Sequence, residues 1–241
     1  MKIALCMPVH SSLTKRFALS AFNILIETLT NGVERDGERT IPEIRPFMAS
    51  SADTGFNRNV LTRDALAWGA DFLLFADVDH HIPADGLARL LSLGKEVVGL
   101  NFRRRGEGDA LPTVARRVGE DRYEPVWTNA EKARAGLVEQ VDALGFGFCL
   151  VAAEVFARLE AQALAEGRSS VWPIFYFAPI EGALHSLSED SAFCRQCAAA
   201  GIPLFVDHRL SFESAHMTEI PLMFDPGPPA GGIVSSRVSG R

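Results

Sequence analysis

No apolar run in the 241 residues approaches the ~20 that a helix needs to cross a bilayer. A secretory hydrophobic stretch is missing too, since Ile3–Met7 is only strand length. A cytoplasmic protein without a transmembrane segment is therefore expected. Basic charge is not in excess: 24 Lys and Arg stand against 30 Asp and Glu, a net charge of −6. Bulk electrostatic affinity for nucleic acid is not expected from that balance. Cysteine is scarce, four residues in all, and forms no framework. Cys194 and Cys197 have CxxC spacing but fall inside an expected helix, and zinc would need a second pair at comparable spacing. Cys6 and Cys149 stand singly in apolar runs, so four buried, reduced thiols are expected. Repeats, low-complexity tracts and a clean linker are absent before Phe224. Beyond it Pro, Gly and Ser dominate, and 224–241 reads as a flexible tail or lid on one domain spanning 1–223.

What is present is apolar material, 47% of the chain, enough for a sizeable core. The chain is organised around Asp71-Phe-Leu-Leu-Phe-Ala-Asp-Val-Asp-His-His-Ile-Pro83. Phe72–Ala76 is apolar without a break, as suits a strand buried on both faces of a parallel sheet. It ends in Asp77 and Asp79, and Pro83 forbids further pairing. Ligands of open α/β sheets lie beyond the carboxyl ends of the strands. Two carboxylates there would hold a hard divalent cation, and the cation a diphosphate. Read alone, the pair is also an acidic turn capping a helix near Ala84.

Elsewhere strand and helix signals alternate. Ile3–Met7 reads as a first strand stopped by Pro8. The next helix takes Ser11 or Ser12 as its cap, turns Phe17, Ala21, Ile24 and Leu25 inward and stops at Asn31-Gly32. Val33–Thr40 reads as loop and Glu43–Met48 as a second strand. A second helix carries Leu61, Ala65 and Trp68 and closes at Gly69. This order begins a doubly wound sheet. Arg58, early in that helix, lies on the same sheet edge as Asp77, where it meets a phosphate or nucleobase or stays a solvated charge. A third helix spans Pro83–Leu93, and a strand over Glu96–Phe102 runs into Arg103-Arg-Arg105, a phosphate clamp or a solvated loop. A small hairpin is expected around Arg122–Val126. In Val141–Ala152, Gly145 and Gly147 alternate with aromatics, which weakens a strand unless a backbone or ligand comes close. A helix follows over Glu154–Glu166. Ser186-Leu-Ser-Glu189 has capping-box spacing, which puts Glu189 and Asp190 in a first helical turn. Pro203–Asp207 reads as the last core strand.

In this order the pieces resemble the nucleotide-sugar-dependent glycosyltransferases of GT-A fold with family-2-like sequences, from Lys2 to about Thr218. The resemblance rests on Pro8-Val-His10, Gly55-Phe-Asn-Arg-Asn59, Ala70 to Asp79, Leu144-Gly-Phe-Gly-Phe-Cys-Leu150, Ser188-Glu-Asp-Ser-Ala-Phe-Cys194 and His216. It implies an α/β, GT-A-like, Rossmann-related fold with a mostly parallel central sheet and helices on both faces. It implies that Pro8, Val9, His10, Arg58, Asp77, Gly145 and Gly147 face the donor, a UDP-sugar being favoured. By the same likeness Asp77 and Asp79 hold Mn²⁺ or Mg²⁺ with His216 as third ligand. Asp190 is then the base, beside Glu189, for an inverting transfer to an acceptor hydroxyl. Saccharide, lipid, protein and modified nucleic-acid base stay open as the acceptor.

His80-His81 departs from the pattern. Adjacent residues on a turn rarely point at one ion, so both are expected to be loop or acceptor-side groups. Three rival readings meet the same residues. A haloacid-dehalogenase-type DxD phosphatase wants Thr or Val where His81 stands. A nucleotidyltransferase needs a glycine-rich basic loop, which Val9-His-Ser-Ser12 is not. A non-catalytic sugar- or nucleotide-binding version stays open, because sites are grafted on folds.

Overall fold

A computed structural model describes residues 1–10, 12–35, 37–104, 111–119, 122–179 and 186–217. The readings of 224–241 as a tail or lid, of Ser11 as a cap and of Arg105 lie outside the described residues. The central sheet is built from β1 (Lys2–Val9), β2 (Glu43–Ser50), β3 (Phe72–Ala76), β4 (Val97–Gly99), β5 (Val138–Val141), β6 (Phe148–Ala152) and β7 (Leu204–Asp207). Its seven strands run in the order β5-β7-β4-β6-β3-β1-β2. β1, β2, β3, β4 and β7 point one way, and β5 and β6 the other. The main helices are α1 (Lys15–Asn31), α2 (Thr54–Trp68), α3 (Gly86–Ser92), α4 (Ala130–Arg134), α5 (Ala153–Ala165), α6 (Glu189–Ala199) and α7 (His208–Glu213).

Strand alternation sends side chains to two layers. Ile3 and Leu5 meet Phe17 and Ile24 of α1 on one face. Cys6 turns to the other, where burial, with Asp64 of α2 adding to it, pushes its thiol up. β3 has β1 on one side and β6 on the other, which is why Phe72–Ala76 needs no polar position. All four cysteines are buried and free. No helix of the described residues is long and apolar enough to cross a membrane.

Several local expectations give way to tertiary pairing. β1 does not stop at Pro8 but continues to Val9 against Ala49 and Ser50. Beyond Cys6 only β2 pairs with it, so the missing N–H of Pro8 removes nothing from the β3 side. Val33–Arg35 and Glu38–Thr40 form a hairpin, not a loop. Gly37, at φ 81°, supplies the left-handed residue that turns it. The cap of α1 is Thr14, whose Oγ1 accepts from Phe17 N–H at 3.1 Å and donates to Val78 O at 3.1 Å. That bond ties the helix start to the acidic turn. Ser20 joins Ala21 on the inward side of α1, its hydroxyl bonding His81 Nδ1 at 2.8 Å and accepting from Ile82 N–H at 3.2 Å. The Ser186 capping box does not form. Ser186-Leu187 pairs with Ala178-Pro179, so the chain is still extended there and Ser188 becomes the cap of α6.

At the β5–β7 edge a half-buried polar network forms around His208. His208 Nε2 donates to Glu139 Oε2 at 2.9 Å, and its Nδ1 accepts from Thr128 Oγ1 at 2.8 Å. Both ring nitrogens are thus satisfied in the neutral form. Burial lowers the His208 pKa, and Lys132 adds to that against the opposing pull of Glu139, leaving it below its ordinary 6.5. Burial acts to raise Glu139, but its bonds to Lys132 and His208 win and hold it low. Below pH ~6.5 the unfolded chain takes up a proton on His208 that the folded chain refuses, so acid favours unfolding. The Glu139 contribution, present above its ordinary value of 4.5, is lost later, as pH falls through its folded value. The urea midpoint is therefore expected to decline in two stages on acidification, and His208→Gln should remove the first. A midpoint flat from about pH 7.5 to 5.5 would contradict this.

Candidate active site

The acidic turn is where the carboxyl end of β3 meets the end of the described chain. After Asp79, His80-His81 pairs antiparallel with Ala215-His216, His80 lying opposite His216. Cross-strand partners on one face lie close, and the two imidazoles stack, with centroids 4.4 Å apart and planes at 10°. Phe102 packs edge-on to His80 at 4.1 Å. His216 Nδ1 lies 3.0 Å from the carbonyl of Arg103. A carbonyl only accepts, so Nδ1 carries the proton, and in the neutral ring Nε2 presents its lone pair. That nitrogen is 3.4 Å from Asp79 Oδ2, and His80 Nδ1 is 2.8 Å from Asp79 Oδ1. The lone pair of His216 Nε2 facing a carboxylate oxygen calls for a cation between them, a proton or a metal. One ligand atom from each of Asp79, His80 and His216 falls within 4.8 Å of the others. Burial works to raise the Asp79 carboxyl, but hydrogen bonds and charge from His216 and His80, when those rings are protonated, outweigh it and hold it well below the usual carboxylate range.

Asp77, two residues earlier, has a different partner. Arg58 Nη2 donates to its two oxygens at 3.2 and 3.3 Å, while Nη1 donates to Glu189 Oε1 at 2.5 Å. Arg58 is 3% exposed and lies over the Phe146 ring at 5.3 Å. Burial acts to lower its pKa, but the charges of Asp77, Glu189 and Asp190 prevail and raise it. Acids outnumber cations here. Burial, reinforced by Asp190 and Asp77, pushes Glu189 up against the pull of Arg58. Asn59 faces away from this set, and its side chain pins the backbone of Ile174 and Phe175.

Asp190 occupies the first turn of α6. Ser188 Oγ and the Ser191 N–H, the latter at 2.8 Å, donate to its Oδ1. Among the described residues nothing hydrogen-bonds its Oδ2. The close approach expected at the two glycines comes from side chains. A Cβ on Gly147 would stand 2.8 Å from His80 Nε2, and one on Gly145 2.8 Å from Thr113 Cβ.

These groups surround a cleft of about 340 Å³, lined among others by Arg58, Asp77, Asp79, His80, Gly145, Gly147, Glu189, Asp190 and His216. An adjoining hollow of about 160 Å³ shares Asp77 and Asp79 and brings in Pro8 and His10. Val9 lines neither and packs on the core. Arg104 reaches the main cleft. Residue types and spacing single out every one of these acids; His80 is what they miss. Its only sequence signal is that Ala215-His216 is short, extended and ends in a second histidine.

A mostly parallel sheet covered by helices, with its polar cleft outside the carboxyl end of β3, makes this a GT-A-like α/β protein. No family model matches the chain, and no curated protein does. Among solved structures, A197 from STIV superposes with a TM-score of 0.50 at 14% identity, over 100% of this chain and 99% of that one. GalNAc-T7, solved with UDP, GalNAc and Mn²⁺, gives 0.49 at 10% identity, over 86% of this chain and 42% of its own. A nucleoside-diphosphate-sugar pyrophosphorylase from Vibrio cholerae RC9 gives 0.44 at 8%, over 85% and 91%. At 14% identity the likeness to A197 is one of fold.

Proposed function

We propose that the protein is a metal-dependent glycosyltransferase that moves a sugar from a nucleotide-sugar donor, a UDP-sugar being favoured, to an acceptor hydroxyl with inversion. One observation carries this reading: the Asp79–His216 cation site and the Asp190 carboxylate line the same cleft. Asp79 and His216 would hold Mn²⁺ or Mg²⁺, since a proton or metal is what their facing lone pairs require. Bound there, a divalent ion supplies Lewis-acid neutralisation of the charge that develops on the departing diphosphate. Asp190 Oδ2 takes the proton of the acceptor hydroxyl as its oxygen bonds to the anomeric carbon. The bond from that carbon to the diphosphate breaks, and the nucleoside diphosphate leaves with the electron pair. Arg58 binds Asp77 and Glu189 together, so the two walls of the cleft hold their spacing. Pro8 and His10 flank the adjoining hollow, which is of a size for the nucleoside end of the donor.

The test is release of nucleoside diphosphate from a panel of nucleotide sugars. Release with Mn²⁺ and its loss in chelator are expected. Undiminished release in chelator removes the metal role. Inorganic phosphate from a simple monoester points to a phosphatase instead, and a thermal shift without release to a binding protein.

A further inference from the structure

We infer that the ion in this cleft is held by two imidazoles and one carboxylate, from His80, His216 and Asp79, with Asp77 outside the set. We further infer that this donor set selects Mn²⁺, Fe²⁺ or Co²⁺ over Mg²⁺. The inference rests on the metal-dependent reading of the cleft and departs from the ligand pair that Asp77-Val-Asp79 would suggest.

Three observations lead to it. First, Asp77 is engaged. Both of its oxygens lie on one nitrogen of Arg58, at 3.2 and 3.3 Å, and that guanidinium is buried. Turning Asp77 toward an ion would give up the bonds it accepts from Arg58 and leave that buried guanidinium with Glu189 alone, which is unfavourable. Second, His80 is available. It is 5% exposed, and its Nδ1 finds no aligned hydrogen-bond partner among the described residues, although it lies 2.8 Å from Asp79 Oδ1. An imidazole nitrogen that close to a carboxylate oxygen, with no other partner among the described residues, is placed to share a centre with it. Third, the separations suit one ion. Adjacent ligands about 2.1 Å from a metal stand roughly 3.0 Å apart when octahedral and about 3.4 Å apart when tetrahedral. The 3.4 Å spacing matches the tetrahedral value, and the 2.8 Å spacing is slightly under the octahedral one.

The histidines are also held against rotation. The Arg103 carbonyl fixes the tautomer of His216, the stacking aligns the two rings, and Phe102 and Gly147 close in on His80. Preorganised imidazoles of this kind are the outer-shell arrangement that tunes metal sites. Mg²⁺ prefers oxygen donors and retained water, whereas imidazole with carboxylate suits later first-row ions. The adjacency of His80 to Asp79 does not prevent shared ligation. The cross-strand bridge to His216 fixes the His80 ring on the same side as the Asp79 carboxylate, which a free turn would not do.

The test is metal titration of the full-length protein without nucleotide, by calorimetry. Mn²⁺ is expected to bind and Mg²⁺ to fail to displace it at matched concentration. His80→Ala, His216→Ala and Asp79→Asn should each weaken Mn²⁺ binding by about 10-fold or more, the least that disturbing a metal shell costs. Asp77→Asn should leave it within about 3-fold. Because a His80 variant that fails to fold would be silent, electron spin echo of Mn²⁺ on the unaltered protein is the second measurement. Coupling to two imidazole nitrogens is expected. An all-oxygen or one-nitrogen centre, equal competition by Mg²⁺, or loss of binding in Asp77→Asn with none in His80→Ala overturns the assignment. Metal bound by this triad without nucleotide-sugar turnover keeps the site and removes the transferase reading. Turnover on an oxygen-only centre does the reverse.

Discussion

Asp190→Asn is expected to cut sugar transfer by ~10²–10⁴-fold, the range for loss of a general base, with donor binding nearly intact. Asn keeps the Oδ1 that accepts from Ser188 and from the Ser191 N–H, so the start of α6 keeps its geometry. What goes is the proton acceptor at Oδ2. The effect should therefore appear in kcat at saturating donor and acceptor, and the donor Kd by calorimetry should hardly move. Glu189 is no substitute, because its carboxylate is tied to Arg58 at 2.5 Å. A base across the cleft from the leaving group implies one displacement, so the product should have inverted anomeric configuration, read by NMR. A variant turning over at the parent rate, or a retained product, would take Asp190 out of the role.

Arg58→Met is expected to destabilise the fold by about 3 kcal/mol, the lower end of the range for breaking a buried ion pair. The variant leaves Glu189, side chain 11% exposed, and Asp77, 27% exposed, facing each other without a cation. Water reaching Asp77 relieves part of that penalty, hence the lower end. Met fills much of the volume under Phe146, so loss of packing is a minor part. Arg58→Lys should fall between the two, because one ammonium cannot fork to both carboxylates. Urea unfolding at constant pH reads the effect. Unchanged stability with a raised donor KM would instead make Arg58 a direct nucleotide contact, as the family likeness has it.

What the sequence discloses and what it hides divide along sequence separation. Phe72–Ala76 with Asp77 and Asp79 is a local statement: an apolar run, then acids at its end, and the fold puts that strand in the middle of the sheet. Gly32 and Gly69 end α1 and α2 for reasons equally local. The roles of Asp77 and His80 are not local. Asp77 reads as half of a metal pair, and nothing local to it shows that Arg58 reaches it from α2 and is shared with Glu189, 131 residues further on. His80 looks like a loop residue until a two-residue bridge sets His216 opposite it. Ser186-x-x-Glu189 fails as a capping box for the same reason, since pairing with Ala178-Pro179 outranks a local hydrogen bond.

That bridge between His80-His81 and Ala215-His216 also orders events in time. During synthesis the amino-terminal portion folds first, so β1, β2, β3 and α2 can assemble with Asp79 in place and no second histidine strand to face it. Contacts across so much chain are slow to form because loop closure precedes any gain. A half-made chain thus has Asp77 and Asp79 at its sheet edge without His216 opposite His80. On the proposed metal reading, the ion would find its full ligand set only after the residues near position 216 have docked.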